Sequence, residues 1–194
     1  MKRRIVLLCN TCPFGGEVFL QNELKLLPPG TRVTLVPANQ EKRSGFQFPL
    51  PEGVELCRAA ETPTAADRIL SLSSSMGMLF RTGEIRAVFQ KKNPLRNLLK
   101  ALKFGYLGES WARSVERWLR RNHPGEEFLF YSYWLYEVAF EAIYLKKQFP
   151  ASPTVSRCHG YDLYERRHAN GYLPYRRYLL NGMDRIFPIA ESGA

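Results

Sequence analysis

The amino-acid sequence predicts one α/β domain, with helices covering both faces of a parallel β-sheet. Its 194 residues suit a single hydrophobic core. Short apolar runs that end in turn residues alternate with helical patterns along the chain, as in doubly wound sheets. A composition of 45% hydrophobic and 24% charged residues excludes a disordered tail, a collagen and a coiled coil. No uninterrupted apolar run approaches the roughly 18 residues of a membrane-spanning helix.

The first 37 residues predict a βαβ unit. Ile5–Cys9 is continuously apolar, which is typical of a strand buried on both faces. Turn residues fill positions 10–16, and a helix is expected from Glu17 until the break at Pro28. Arg32–Pro37 then predicts a second parallel strand.

The middle of the chain has weaker patterns. Residues 39–64 predict a loop with one short strand near Val54–Cys57, and Ala65–Met78 predicts a helix. Two successive amphipathic helices are expected within residues 91–121, from apolar residues at helical spacing: Leu95, Leu98, Leu99, Leu102 and Tyr106, then Trp111, Val115, Trp118 and Leu119.

The last third predicts three more strands. In chain order we expect a strand over Phe128–Trp134, a helix over Leu135–Gln148, a strand over Thr154–Cys158, a polar loop over 160–173, a helix over Pro174–Leu180 and a strand over Asp184–Ala190.

The amino terminus and the cysteines indicate a cytoplasmic protein. The basic residues before Ile5 are like the start of a signal peptide, but only five apolar residues follow them and no small-residue cleavage site is present. Four cysteines are too few for a disulfide scaffold and fit a reducing compartment.

The net charge of +10 favours an anionic partner. Residues 91–121 contain nine basic and two acidic side chains, so this segment carries most of the excess. One explanation is the solvated face of ordinary amphipathic helices. The other is contact with anionic lipid through Lys92, Arg96, Lys100 and Lys103, with leucines on the opposite side; nucleic acid is the competing partner.

Candidate site residues follow the predicted strands, because ligands of parallel sheets bind beyond the carboxyl ends of the strands. Gly15 and Gly16 would let the backbone approach an anion, or would serve turn geometry alone. His159 and Asp162 would place an imidazole and a carboxylate at one strand end, although a histidine there can also simply cap the strand. Sugars stack on exposed aromatic rings, so we add the following candidates, for which sheet packing is the alternative: Tyr133, Trp134 and Tyr136.

The spacing of Cys9 and Cys12, with Cys158 and His159 expected at a neighbouring strand end, is compatible with a metal or redox site. The sequence disfavours such a site, because a second close pair is missing and Cys9 completes a strand instead of starting a helix. No metal or other cofactor is expected.

Three segments resemble the amino-terminal half of bacterial family 4 glycosyltransferases. They are Pro13-Phe14-Gly15-Gly16-Glu17, the segment from Ser156 to Glu165 with its His-Gly-Tyr-Asp-Leu-Tyr-Glu motif, and Asp184 to Glu191. The second is most similar to the colanic-acid and exopolysaccharide group. The resemblance covers most of the chain, most loosely between residues 39 and 125.

The resemblance implies the first, Rossmann-like half of a retaining GT-B enzyme, which uses a nucleotide-sugar as co-substrate and needs no metal. Residues 1–194 would form one acceptor-binding domain. His159 would contact the transferred sugar, Gly15 and Gly16 would approach donor phosphates or acceptor, and Asp162 would order its loop. The same motifs add Glu17, Arg157 and Tyr161 to the expected substrate-binding residues.

Two departures from the family pattern affect the expected activity. Ala190 stands where the family commonly has serine, and the paired glutamates of the donor-binding half are not found in these 194 residues. We therefore expect a chain with little transferase activity alone, peripheral to the inner face of the membrane, that binds a glycan or lipid-linked acceptor. The alternative function is a non-enzymatic module that binds anionic membrane or nucleic acid through its basic helices.

Overall fold

Six parallel strands form one sheet in the computed structural model, which describes residues 3–15, 17–38, 48–58 and 63–189. The spatial order is β3-β2-β1-β4-β5-β6. This arrangement confirms the predicted α/β, Rossmann-like doubly wound class. The strands are β1 Arg4–Cys9, β2 Val33–Pro37, β3 Val54–Leu56, β4 Phe128–Ser132, β5 Thr154–Cys158 and β6 Arg185–Pro188.

Seven α-helices connect or flank these strands within the described residues. They are α1 Val18–Lys25, α2 Ala65–Arg81, α3 Glu84–Phe89, α4 Pro94–Asn122, α5 Glu137–Gln148, α6 Gly160–Leu163 and α7 Arg176–Gly182. Two short 3-10 helices, Glu165–Arg167 and Ala169–Gly171, follow α6.

The hydrophobic core has two layers, one on each face of the sheet. Val6 and Leu8 of β1 belong to the layer that includes buried residues of α4, α5 and α7. Leu7 and Cys9 point to the other face, where they pack with Leu20 of α1. Successive side chains of a strand alternate between faces, so burial on both sides explains the continuous apolar sequence of β1.

The basic segment is one 29-residue helix, α4, and the prediction of two successive helices was wrong. No proline interrupts it after Pro94, and its two internal glycines are sites of close packing. A Cβ at Gly105 would lie 2.7 Å from Ser75 Oγ, and one at Gly108 would lie 2.9 Å from the Phe140 ring. Neighbouring elements therefore approach the helix closely where the sequence suggested a break.

Several boundaries also differ from the predictions. β4 ends at Ser132 and α5 begins at Glu137, which leaves residues 133–136 as a loop. The segment 160–173 contains short helices instead of loop only, and the six-residue α3 was not predicted. The predicted end of the last strand at Ala190 lies outside the described residues.

Candidate functional site

The candidate site lies at the carboxyl ends of β1, β4 and β5. We call this surface the crevice; it is formed by residues 10–15 and 17, 133–136 and 157–162. The topology changes direction between β1 and β4, because β1 pairs with β2 on one side and with β4 on the other. Ligands of open parallel sheets bind at such a switch point.

Glu17 fills the backbone amide cluster of the β1–α1 loop. Its buried carboxylate accepts hydrogen bonds from the amides of Asn10, Thr11 and Cys12 at 3.2, 2.7 and 2.8 Å. It also accepts one from Trp134 Nε1 at 2.6 Å. The protein's own carboxylate therefore occupies the position that a phosphate takes in a loop of free amides.

Gly15 lies in this loop with a φ of 116°, which favours glycine over any residue with a Cβ. Its carbonyl accepts a hydrogen bond from Thr11 Oγ1. The geometry of Gly15 is thus accounted for by the turn. Gly16, the second glycine of the predicted pair, lies outside the described residues.

The rings of Trp134 and His159 stack in the crevice, with centroids 4.1 Å apart and planes inclined by 32°. Tyr133 lies 5.7 Å from the same imidazole. Because Trp134 also donates to Glu17, it links the loop after β1 to the loop after β5. The imidazole and the glycine loop thus lie on the same edge of the sheet.

Asp162 fastens the loop that carries His159. Its buried carboxylate accepts hydrogen bonds from the amides of His159 and Leu135, at 2.5 and 2.7 Å. Burial raises the pKa of Asp162, and burial also lowers the pKa of His159. His159 Nδ1 lies 3.9 Å from the Asp162 carboxylate, too far for a hydrogen bond, so the carboxylate positions the loop through the backbone.

Arg157 of β5 is neutralised by Glu23 of α1. The two side chains form an ion pair, and Tyr133 Oη donates to the same Glu23 carboxylate at 3.3 Å. The guanidinium also lies 5.3 Å from the Tyr133 ring centroid. Glu23 was not among the predicted site residues. Glu23 and Arg157 are 134 positions apart, so no local pattern reports their pairing.

Tyr161 is about half exposed and points to a second aromatic cluster. Its ring lies 4.3 Å from that of His168, which stacks on Tyr136 at 5.7 Å. Lys100 joins this cluster, with its ammonium 6.0 Å from the Tyr136 ring centroid and 3.1 Å from the Tyr172 carbonyl oxygen. His168 was not predicted as a site residue.

Lys100 differs from the other three predicted membrane contacts in its exposure. It is half-buried, whereas Lys92, Arg96 and Lys103 are exposed. Only some of the leucines of this segment face the core: Leu98 and Leu102 pack against it. Two others are exposed beside the cations, so the prediction that leucines and cations lie on opposite sides was wrong for them. These are Leu95, 73% exposed, and Leu99, 68% exposed.

Cys9, Cys12 and Cys158 are buried, and burial keeps their thiols protonated. Burial raises the pKa of Cys12 to about 12 and that of Cys158 to about 11, and it raises the pKa of Cys9 as well. Thiolates are the form that binds metals and reacts with disulfides, so these residues serve as core. Within residues 3–15, 17–38, 48–58 and 63–189, no three His, Cys, Asp or Glu residues are grouped to hold a metal ion.

The fold and the crevice define a Rossmann-like α/β protein with aromatic and titratable residues at the switch point of its sheet. The chain matches no protein-family model and no curated protein. In the part of the chain that the structure describes, no helix combines the length and the apolar character required to cross a bilayer.

Proposed function

We propose that this chain is the acceptor-binding half of a retaining glycosyltransferase. The enzyme would move a sugar from a nucleotide-sugar to a cell-surface glycan or a lipid-linked acceptor. The sequence resemblance motivates the class of reaction, and the crevice supplies the residues. The observation that carries the proposal is the Trp134 and His159 stack at the topological switch point.

Aromatic rings and hydrogen-bonding groups are the usual means of holding a sugar. A ring face covers the apolar C–H surface of a pyranose, and nearby polar groups bind its hydroxyls. Trp134, which is partly exposed, supplies the ring, and the imidazole of His159 supplies the polar group. Tyr133 is only 3% exposed and packs in the core beside α1, so it supports the crevice from below and does not offer its ring to a sugar. Because burial lowers the pKa of His159, its neutral form is favoured near pH 7, and a neutral imidazole can accept a hydrogen bond from a sugar hydroxyl.

The charges of the crevice favour a neutral ligand over a phosphate. The amides after β1 are bonded to Glu17, and Arg157 is paired with Glu23. The donor phosphates would then be bound mainly by a second domain facing the crevice, as the resemblance implies. This division assigns acceptor binding to the chain and leaves most of the donor binding to its partner domain.

Saturation-transfer NMR with methyl glycosides of glucose, galactose, mannose and fucose tests the acceptor site. We expect at least one glycoside to bind, and both Trp134→Ala and His159→Ala to weaken that binding at least tenfold. Phe89→Ala is the control, since Phe89 is 60% exposed on α3 and outside the crevice. Equal binding by the Trp134→Ala variant would refute the assignment.

Calorimetric titration with UDP-glucose tests the division between acceptor and donor. We expect no saturable binding to this chain, because the backbone amides after β1, which could otherwise bind a phosphate, are already bonded to the Glu17 carboxylate. Tight binding of the nucleotide-sugar would place the donor site here and would contradict the proposed role.

A second proposed role is peripheral binding to anionic membrane. It is favoured by the exposed face of α4, where Leu95, Arg96, Leu99 and Lys103 fall within about 100° of arc at 100° per residue. Exposed leucines between cations suit the boundary of headgroups and acyl chains, where each cation adds about 1 kcal/mol.

Vesicle flotation measures this second role. We expect binding to vesicles with about a third anionic phosphatidylglycerol and weaker binding to neutral phosphatidylcholine vesicles. An Arg96→Glu, Lys103→Glu double variant should bind the anionic vesicles at least tenfold more weakly. Arg121→Glu, an exposed position at the far end of α4, is the control. Retardation of DNA without flotation would favour nucleic acid as the partner instead.

A further inference from the structure

An open cavity of about 760 Å3 lies among α2, α4, α5 and α7, away from the crevice. Its α5 residues, Tyr144 and Lys147, belong to the second half of that helix. Helix α5 starts at the crevice with Glu137 and runs back toward the opposite edge of the sheet, where β5 begins. A cavity of this size can hold a drug-sized ligand.

Four cationic side chains from four different helices line this cavity: Arg81, Arg113, Lys147 and Arg177. The cavity lining includes one carboxylate, Glu109, which accepts a hydrogen bond from Arg113 Nη2 at 2.6 Å. Glu109 is almost fully buried, so it serves Arg113 and leaves the other three cations without a counter-charge in the cavity.

The cations that have no partner among the described residues favour an anionic ligand in this cavity. In the described part of the chain, the guanidinium groups of Arg81 and Arg177 have no hydrogen-bond or ion-pair partner, and both residues are exposed. Arg113 Nε is buried and also lacks a partner. Cations that share a cavity repel one another, and a bound anion would relieve that repulsion.

Aromatic surface accompanies the cations. The Arg113 guanidinium lies 5.4 Å from the Tyr144 ring centroid, and Lys147 lies 5.1 Å from that of Tyr178 and 2.9 Å from its hydroxyl oxygen. Phe140 contributes a buried ring to the lining. A ligand that matched only the charges would leave this surface exposed to water.

We propose that this cavity binds a phosphate monoester carried on an apolar or aromatic body, independently of the crevice. The phosphate would contact Lys147 and Arg177 at the mouth, and the body would pack on the rings of Tyr144 and Tyr178. Two sources share this chemistry: a soluble aryl phosphate and the headgroup of a phosphatidic lipid. The site is separate from the proposed acceptor site and would bind a different class of ligand.

Calorimetric titration with four probes tests the site. Phenyl phosphate represents the soluble source and dihexanoyl phosphatidic acid the lipid source, while inorganic phosphate supplies only the anion and benzyl alcohol only the body. We expect one of the first two to bind at least tenfold more tightly than either partial probe, and the tighter of the two identifies the source. Absence of saturable binding by both would overturn the proposal.

Charge reversal locates the binding. We expect a Lys147→Glu, Arg177→Glu double variant to bind at least tenfold more weakly, because it turns attraction into repulsion at two positions. Both side chains are exposed, so the fold should be retained, and circular dichroism checks this. The matched control is the Arg68→Glu, Arg121→Glu double variant, which changes the net charge by the same amount outside the cavity. Its affinity for the probe should stay within twofold of that of the unmodified chain. An equal loss in the control would show diffuse attraction and would refute the site.

Discussion

Substitution of Glu17 by alanine should destabilise the protein through the loop after β1. Besides a long contact of 3.4 Å from Thr11 Oγ1, the carboxylate accepts four hydrogen bonds, three from backbone amides and one from Trp134 Nε1. Its loss would leave these donors without their acceptor at a buried position. Water can reach part of the opened space, so the cost is less than the sum of four charged hydrogen bonds.

The expected loss of unfolding free energy is about 3 to 5 kcal/mol. A hydrogen bond to a charged group contributes about 1.5 to 3 kcal/mol, and rehydration of the freed amides returns a share of that. For a chain of this size the loss corresponds to a fall in Tm of roughly 10 °C, at about 2 to 4 °C per kcal/mol. Glu17→Gln should cost about half as much, because its one amide oxygen can accept from some of the same donors.

Urea denaturation followed by circular dichroism measures this loss, with Glu52→Ala as the control for removal of an exposed glutamate. Formate provides a second readout, since it can enter the space vacated in Glu17→Ala. At ten times its Kd, formate should restore about 1.4 kcal/mol in that variant and nothing in the unmodified chain. A loss below about 0.5 kcal/mol, or equal effects of formate on both proteins, would refute the assigned role of the carboxylate.

Three further predictions concern buried carboxylates and close helix packing. Burial raises the pKa of Glu141 from 4.5 to about 8. The contribution of its protonated form to stability is therefore complete below pH 4.5 and declines as the pH rises toward 8. In urea titrations, Glu141→Gln should remove this pH dependence and raise the unfolding free energy by about 3 kcal/mol at pH 7. Hydrogen bonds from Arg117 hold the pKa of Asp67 at about 2, so this ion pair stabilises the fold above pH 3.8, and the stabilisation is lost as the pH falls toward 2. Arg117→Ala should therefore lower the unfolding free energy by about 1 to 2 kcal/mol at pH 7 and by little at pH 2. Gly108→Val should cost about 1 to 3 kcal/mol by thermal melting, because the new side chain would collide with Phe140.

The strands were predictable because their burial leaves a local pattern. β1 and β2 are buried along nearly their whole length, so their apolar character appears in the sequence itself. Helix α3 leaves no such pattern over six residues. It is held by Glu84, whose carboxylate accepts hydrogen bonds from the Tyr172 hydroxyl and from the Tyr175 amide at 2.8 Å, about ninety positions away. The periodicity of a local sequence does not report contacts between residues so far apart in the chain.

The same distinction applies to the crevice. The position of His159 could be predicted, because it follows a buried strand of a parallel sheet. The roles of its neighbours could not. Glu17 was expected beside a substrate and instead fills the amides of its own loop, through contacts that depend on how loop and helix meet. Glu23 is a charged residue on an amphipathic helix by its sequence, and only the packing of α1 beside β5 gives it a partner.

The distribution of paired and unpaired charge separates the two surfaces chemically. In the crevice, Glu17 satisfies the amides, Glu23 neutralises Arg157 and two amides hold Asp162, so an added phosphate would have to displace a carboxylate. In the cavity among α2, α4, α5 and α7, Arg81, Lys147 and Arg177 have no counter-charge in the lining, and aromatic rings lie beside them. The net charge of +10 is therefore a poor guide to the ligand of the crevice. A neutral, hydroxyl-rich ligand suits the first surface and an anion suits the second, and a phosphate that bound the crevice more tightly than the cavity would contradict this division.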